Sequence, residues 1–472
     1  MTNSRTRLLG AGCAVVLLAA AGCGGAAEKE GPGQVSEVTG PAAATVTPWA
    51  ASGQAPPTTI TICMFAGPEL ESVRKLSPQF TAFTQGTIEV KFVAIPTNSS
   101  NQGTLQQLRS KSSTCDIVDQ STTNAGIINQ YLEPLEPFME QPSLFNAEAY
   151  DLEDFPAGLR SLASSKDGLV ALPYGSDTPL LMYRKDLMEK WGVSVPAPPE
   201  AWTWDDLYAA VRTIQGKLEA KSPGDPEYPI AVGGASSVSG AIFALQAMWS
   251  TGGDPLNADG KGTNFTDPKA VEGLQKSVGL RTELDATSPG TASYDYAELQ
   301  TALLQGRTAM AIEWNAAASD LDNPAKSPKT AGKMAYAMLP YTGDAKAPRS
   351  FLSTHTLALN KSGVNKNAAF SYVVWYTSKD VARQYVKSGA GSSGRTSLLT
   401  DPAFASSQPQ LGALNYSLEL AHPLPEGPYL PSLLTDVIGP NSNAAYSGTK
   451  PVPEAMQGMQ TAAEELVKKA GG

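Results

Sequence analysis

Only two histidines, His355 and His422, occur in the 472 residues, and they stand in unrelated contexts. No G-x-S-x-G elbow, paired metal-ligand spacing or phosphate-cradling glycine loop accompanies them. The sequence therefore calls for no catalytic residue, no metal and no cofactor. Acidic pairs such as Asp205-Asp206 open a helix and read as partners of its dipole. A carboxylate pair set for glycoside hydrolysis is not excluded by sequence. Basic residues are few as well: 35 Lys and Arg face 45 Asp and Glu, a net charge of −10. With no basic run, this balance argues against nucleic acid and against charge-driven binding to anionic lipid. Beyond residue 22 no apolar run reaches the length of about 18 residues that would suggest a membrane span. Nor is any internal repeat visible.

The N-terminus reads as a processing segment. Arg5 and Arg7 precede an apolar stretch, Leu8 to Ala21, too short to span a bilayer. Ala20-Ala21-Gly22-Cys23 then resembles a bacterial lipobox, with Cys23 as the lipidated residue and Ala20 where leucine is usual. An ordinary secretory signal followed by an incidental cysteine is the alternative. Residues 24–57 are rich in Gly, Ala, Pro, Ser and Thr and cannot bury a core, which suits a tether. Loss of residues 1–22 would leave the body at −12, with lipid as its sole anchor. Two cysteines then remain, Cys63 and Cys115, each placed in a predicted strand. Cys63 falls late in its strand and Cys115 at the start of its own, which favours two buried thiols over a bridge.

About 415 residues follow the tether, too many for one ordinary domain, so two lobes are expected. β-Branched density predicts a strand over 58–65, and apolar spacing a helix over 69–83. Further strands are predicted at 87–95, 115–119, 228–232, 308–313 and 333–339, with extended chain at 349–359. Helices are predicted at 204–214, capped by Thr203, at 239–250, from Pro268 to Glu283, and at 296–304, 365–376, 378–388 and 453–469. Strand–helix alternation implies parallel sheets with ligands gathering beyond the strands' carboxyl ends. The central stretch, Gly168 to Met188, reads as a buried strand, a solvent-facing turn at 174–178, and entry into a second lobe. Pro340–Gly343 and Gly389–Arg395 are the candidate second and third crossings.

At this point a family resemblance enters. ALPYGSDTPLLMYRKDLMEKWGV resembles the hinge-crossing segment of bacterial extracellular solute-binding proteins, in particular the sugar-binding lipoproteins of ABC importers in the maltose-binding group. CDIVDQ, INQYLEPLEPF, STGGDPLN, GRTAMAIEWN, LALNKSGVNKNAAFSYVVWYTSKD and GRTSLLTDP follow in the order that family uses. The resemblance implies a two-lobe α/β periplasmic-binding-protein-like fold of type II with discontinuous lobes. These are residues 58–172 with 344–394, and 173–343 with 395–472. It also implies a monomer that captures a sugar, oligosaccharide or polyol between its lobes and delivers it to a membrane permease outside the cytoplasm. A secreted carbohydrate-active enzyme and a receptor of the same fold for a peptide or other solute remain alternatives.

Sugars need aromatic faces and hydrogen-bonding side chains. By resemblance, Trp314 takes the place of a stacking aromatic, beside Asn315, and Asp177 that of a carboxylate for hydroxyls. Tyr174 shares the turn with Asp177. Loop and strand-end positions add Phe65, Glu69, Gln120, Ser121, Thr122 and Asn124, with Ser237, His355, Arg395 and Tyr429 as further candidates. Arg395 has a second reading, a fork to a carboxylate across the hinge rather than to ligand. Trp375, among apolar helical neighbours, reads as core.

Overall fold

Strands form where β-branched residues cluster, and helices start at side chains that can cap them. The computed structural model describes residues 57–469, except 67, 96–99, 122–124, 221, 257–261, 343–348, 389–390, 405–406, 423 and 425–428. In chain order the elements used below begin with β1 (Thr58–Phe65), α1 (Pro68–Phe83), β2 (Ile88–Ile95) and β3 (Ile117–Ser121). Next come β4 (Ala171–Asp177), β5 (Pro179–Arg184), α2 (Trp204–Leu218), β6 (Tyr228–Ala231) and α3 (Val238–Trp249). They are followed by α4 (Pro268–Thr282), α5 (Tyr296–Leu304), β7 (Thr308–Trp314), β8 (Met334–Ala337), β9 (Ser350–Phe351) and β10 (Ser353–Leu359). The last are α6 (Lys366–Tyr376), α7 (Lys379–Lys387), β11 (Ala421–His422) and α8 (Val452–Lys469).

Two sheets carry the fold. The first runs β2-β1-β3-β10-β4 and the second β8-β5-β7-β6. β1, β2 and β3 are parallel, but β10 runs antiparallel to both β3 and β4. The second sheet is also mixed, with β5 antiparallel to β7 and β8, and β6 parallel to β7. Parallel sheets were expected from alternation; the strands that enter from the other lobe arrive reversed. Each sheet has its own apolar core, and the described residues fall within one compact unit, 38–472.

The caps are those the sequence signals. Thr203 accepts from the Asp206 amide at 3.1 Å, and Asp206 accepts from the Thr203 amide at 2.9 Å, a reciprocal box opening α2. Asp267 accepts from Lys269 N at 3.0 Å ahead of Pro268, the first residue of α4.

Four expectations need correction. Residues 174–177 are not an open turn: β4 continues to Asp177, and only Thr178 separates it from β5. Pro173 is accommodated because β4 is an edge strand with a register shift there. His355 pairs with Gly175 and Thr356 with Pro173, leaving Tyr174 as the extra residue. The turn after Leu339 stays with the second lobe, since Tyr341 N donates to Trp202 O and Thr342 N to Ser250 O. The chain changes core between Phe351 and Leu352 instead. The loop ending at Arg395 does not lead to the second lobe, because Leu398, Leu399, Phe404, Leu411, Leu414 and Leu418 all pack in the first core. The later change of core lies near β11, which pairs with β9. Finally, Cys63 and Cys115 form a disulfide, with Cα atoms 5.7 Å apart. Cys115 was placed inside a strand, but β3 starts at Ile117 and the chain bends at Asp116, which frees Cys115 from strand spacing.

Candidate functional site

Several chain segments converge where β4 gives way to β5. β1 ends at Phe65, and the first turn of α1 carries Glu69. β10 places His355 beside Phe65 and Tyr174, with ring centroids 5.4 and 5.8 Å away. β4 supplies Asp177 at its carboxyl end. From the second sheet β7 ends at Trp314 and is followed by Asn315 and Ala316. Asn315 ties the crossing together: its Oδ1 accepts from Thr178 N at 2.7 Å, and its Nδ2 donates to Ser392 Oγ at 3.1 Å. Ser176 N in turn donates to Ser392 O at 3.0 Å, and Ser176 Oγ to Ser393 O at 2.8 Å. The 391–392 segment can approach this closely because Gly391 has no side chain; a Cβ there would lie 2.4 Å from Tyr385 Oη.

Between these segments lies a pocket of about 220 Å³. Glu69, Asp177 and His355 line it from the first lobe and Asn315 and Ala316 from the second, over a base formed by Ser176 and Ser392. Three of its polar side chains hold atoms that are shielded from solvent yet have no hydrogen-bond partner in the protein: Glu69 Oε2, Asp177 Oδ1 and His355 Nδ1. Native proteins rarely leave buried polar atoms in this state, so each one asks for a partner. Glu313, fully buried one residue before Trp314, adds another such atom, Oε2, while its Oε1 accepts from Trp314 N at 2.6 Å.

The electrostatics follow from that burial. Removal from water pushes the Asp177 carboxyl up to about 7; His355 opposes the rise, Glu69 adds to it, and the amides of Ala316 and Thr178 oppose it. Burial likewise raises Glu313 well above the usual carboxylate range, opposed by the Trp314 amide and reinforced by Asp177 and Asp295. Asp119, just behind the pocket, is pushed up to about 6 by burial, against His355 and the Tyr174 hydroxyl, with Glu69 adding to the rise.

The sequence candidates divide accordingly. Glu69, Asp177, Asn315 and His355 are brought together around one pocket, and Phe65 stands beside His355. Tyr174 is buried behind them, donating to Asp119 Oδ1 at 3.1 Å. Trp314 is 8 % exposed and its ring contacts are Phe243 and Phe351, so packing in the second core accounts for it. Gln120 is committed at both ends of its amide, to Asn129 Oδ1 at 2.6 Å and from Thr356 Oγ1 at 3.0 Å. Ser121 pairs with His355 across the sheet. Thr122 and Asn124 lie outside the described residues, as do Cys23 and the tether.

Three other candidates serve the fold. Ser237 caps α3, accepting from Gly240 N at 3.1 Å. Tyr429 is buried in the second core. Arg395 is fully buried away from the pocket. Its Nε donates to Thr377 O at 2.8 Å, its Nη1 meets Asp154 at 3.2 Å, and Tyr150 and Phe155 flank it. A single nitrogen meets a carboxylate, inside the first lobe, so the expected fork across the hinge is not formed. Sequence reasoning missed Ser392, Tyr385 and Ala316. Ser392 sits in a Gly/Ser loop that the sequence did single out, though as a crossing between lobes. Tyr385 left no signal, because its helical spacing with Val381, Ala382 and Val386 reads as core.

Residues 67–383 match the family model described as bacterial extracellular solute-binding protein. Among related proteins, a probable amino-acid ABC transporter periplasmic-binding protein of Sinorhizobium fredii is 24% identical over 411 residues, 86% of this chain and 88% of that one. The erythritol/L-threitol-binding protein of Mycolicibacterium smegmatis is 26% identical over 402 residues, 81% of this chain and 78% of that one. The crystal structure of an ABC transporter solute-binding protein from Agrobacterium vitis, with bound D-mannitol, aligns with a TM-score of 0.71 at 27% identity, covering 88% of this chain and 99% of that one. With two α/β lobes around a polar pocket and a family match over well over half its length, the chain belongs to the bacterial extracellular solute-binding protein family.

Proposed function

We propose that this protein is the receptor of an ABC importer for a sugar or polyol, bound in the pocket between β4 and β7 and handed to a membrane permease. The observation that carries the reading is the set of unpartnered buried atoms on Glu69, Asp177 and His355, three residues that line one pocket shared by both lobes. Carboxylates and an imidazole in that state suit a solute that presents several hydroxyl donors. The names of the erythritol/L-threitol-binding relative and the mannitol-bound structure point the same way.

Contacts from both lobes make closure a population shift: a solute that touches Asp177 on one side and the segment at Asn315 and Ala316 on the other stabilises the closed arrangement by what it touches only there. The family binds solutes rather than transforming them. Lipid attachment at Cys23, with residues 23–57 as a tether, and a monomeric state complete the proposal. A thermal-shift screen with calorimetry on the hits tests the ligand class, using alditols, single sugars, oligosaccharides, amino acids and peptides. Binding without turnover by alditols or single sugars supports the reading. Stabilisation by amino acids or peptides alone would overturn it, and release of hydrolysis products would move the protein to the enzyme class. Mass spectrometry of the membrane-extracted protein tests the lipid on Cys23.

A further inference from the structure

We propose that the pocket selects a polyhydroxylated solute carrying a protonated amine, an amino sugar or amino alditol, over its neutral or acidic counterpart. This rests on the reading that the pocket takes a polyhydroxylated solute and adds a charge to it. Glu69 and Asp177 line the pocket, and each keeps one shielded carboxylate oxygen without a partner. Glu313, fully buried, keeps a third, and burial first and then Asp177 hold its carboxyl well above the usual range. Among the described residues that line the pocket there is no lysine or arginine, and His355 is the one side chain able to carry positive charge. A neutral solute that closes the lobes would shut like charges together in a medium where their repulsion grows. An ammonium group would give the shielded oxygens donors and offset that repulsion, the condition under which a buried charge is tolerated. A carboxylate on the solute would add to the repulsion. Tyr296, on the second-lobe side, is held above its ordinary range by burial first and then by Glu313, Asp177 and Glu69 together.

An isosteric series tests this: D-glucamine, whose amine is protonated at pH 8, D-sorbitol and D-gluconate. Affinities are measured by calorimetry at pH 8 and 0.15 M salt on the full protein. The expected order is amine, neutral, acid, with the amine at least tenfold tighter than its neutral partner. Equal or tighter binding of the neutral members would overturn the inference and leave the sugar or polyol reading standing. If no member of the series binds and no alditol or sugar binds in the wider screen, both fall. The double variant Glu69→Gln with Asp177→Asn localises the effect. Its amine preference should shrink to within about twofold, and full retention of that preference in the folded variant would also overturn the inference. Circular dichroism establishes that the variant is folded.

Discussion

Two groups of buried charge lie in this molecule, and they are treated in opposite ways. Around Arg395 the carboxylate of Asp154 is fully met, and the guanidinium keeps one shielded nitrogen, Nη2, without a hydrogen-bond partner. Asp154 accepts from Ser397 N at 2.9 Å and Ser397 Oγ at 2.8 Å, and pairs with Arg395 at 3.2 Å and Lys379 at 3.5 Å. The guanidinium lies 4.2 Å from the Phe155 ring centroid and 4.7 Å from that of Tyr150. Around Asp177 the carboxyls are left open, with shielded oxygens on Glu69, Asp177 and Glu313 and, among the described residues, no lysine or arginine lining the pocket. Burial of charge is common to both. What separates scaffold from site is whether the protein itself supplies the partners.

The contrast can be broken first at its closed end. Arg395→Ala should cost about 3–5 kcal/mol of stability, because it leaves the Asp154 carboxylate without its buried partner. Urea denaturation measures the loss, and ligand selectivity in the surviving folded fraction should not change. The disulfide also belongs to the scaffold, since it holds β1, which leads to Phe65 and Glu69. Replacing Cys63 and Cys115 by serine opens a loop of 52 residues in sequence separation. By loop-closure entropy it should cost about 2–4 kcal/mol, read by thermal or denaturant unfolding with and without reductant.

At the open end the sign reverses. Asp177 has its folded carboxyl raised to about 7 by burial, above its value of 3.8 when unperturbed. Between those values the folded state holds the proton more tightly, so its contribution is fully present at low pH and is lost as pH rises towards 7 and beyond. His355, Glu69, Glu313, Tyr296 and Tyr385 are the titratable groups coupled to it. Asp177→Asn should therefore stabilise the ligand-free protein by on the order of 2 kcal/mol at pH 8 and leave it nearly unchanged at pH 4. Melting curves across that range check it, and ligand affinity should fall in the same variant. The smallest effect is expected at Glu69, which is only partly buried. Glu69→Gln should weaken solute binding by about 1–2 kcal/mol, the scale of one charged hydrogen bond, with little change in melting temperature.

Much of the framework is legible in the residues. TTITICMF reads as a strand and is β1, the spacing of Tyr296 to Leu304 reads as a helix and is α5, and the caps at Thr203 and Asp267 stand where the sequence puts them. The site was legible only in part. Glu69 and Asn315 follow strand ends, Asp177 closes β4, His355 lies within β10, and the four meet at one pocket. Gln120 and Arg395 carry the same chemistry yet are committed inside the fold. The stretch from Tyr174 to Asp177 reads as a turn from its glycine and polar residues, and it is strand because β10 pairs with it.

By itself the sequence determined the strands, helices and caps, because periodicity and capping act over a few neighbouring residues. It also determined the acidic body with few basic side chains to spare. The tertiary structure alone decided where the chain changes core, that Cys63 meets Cys115, and which buried polar atoms find partners. Those outcomes depend on residues far apart in the chain. Thr178, Asn315 and Ser392 are joined by two hydrogen bonds across more than two hundred positions. Hydrogen-bond satisfaction is a property of the assembled fold, and it distinguishes Asp177, which still needs a partner, from Asp154, which has all of its own.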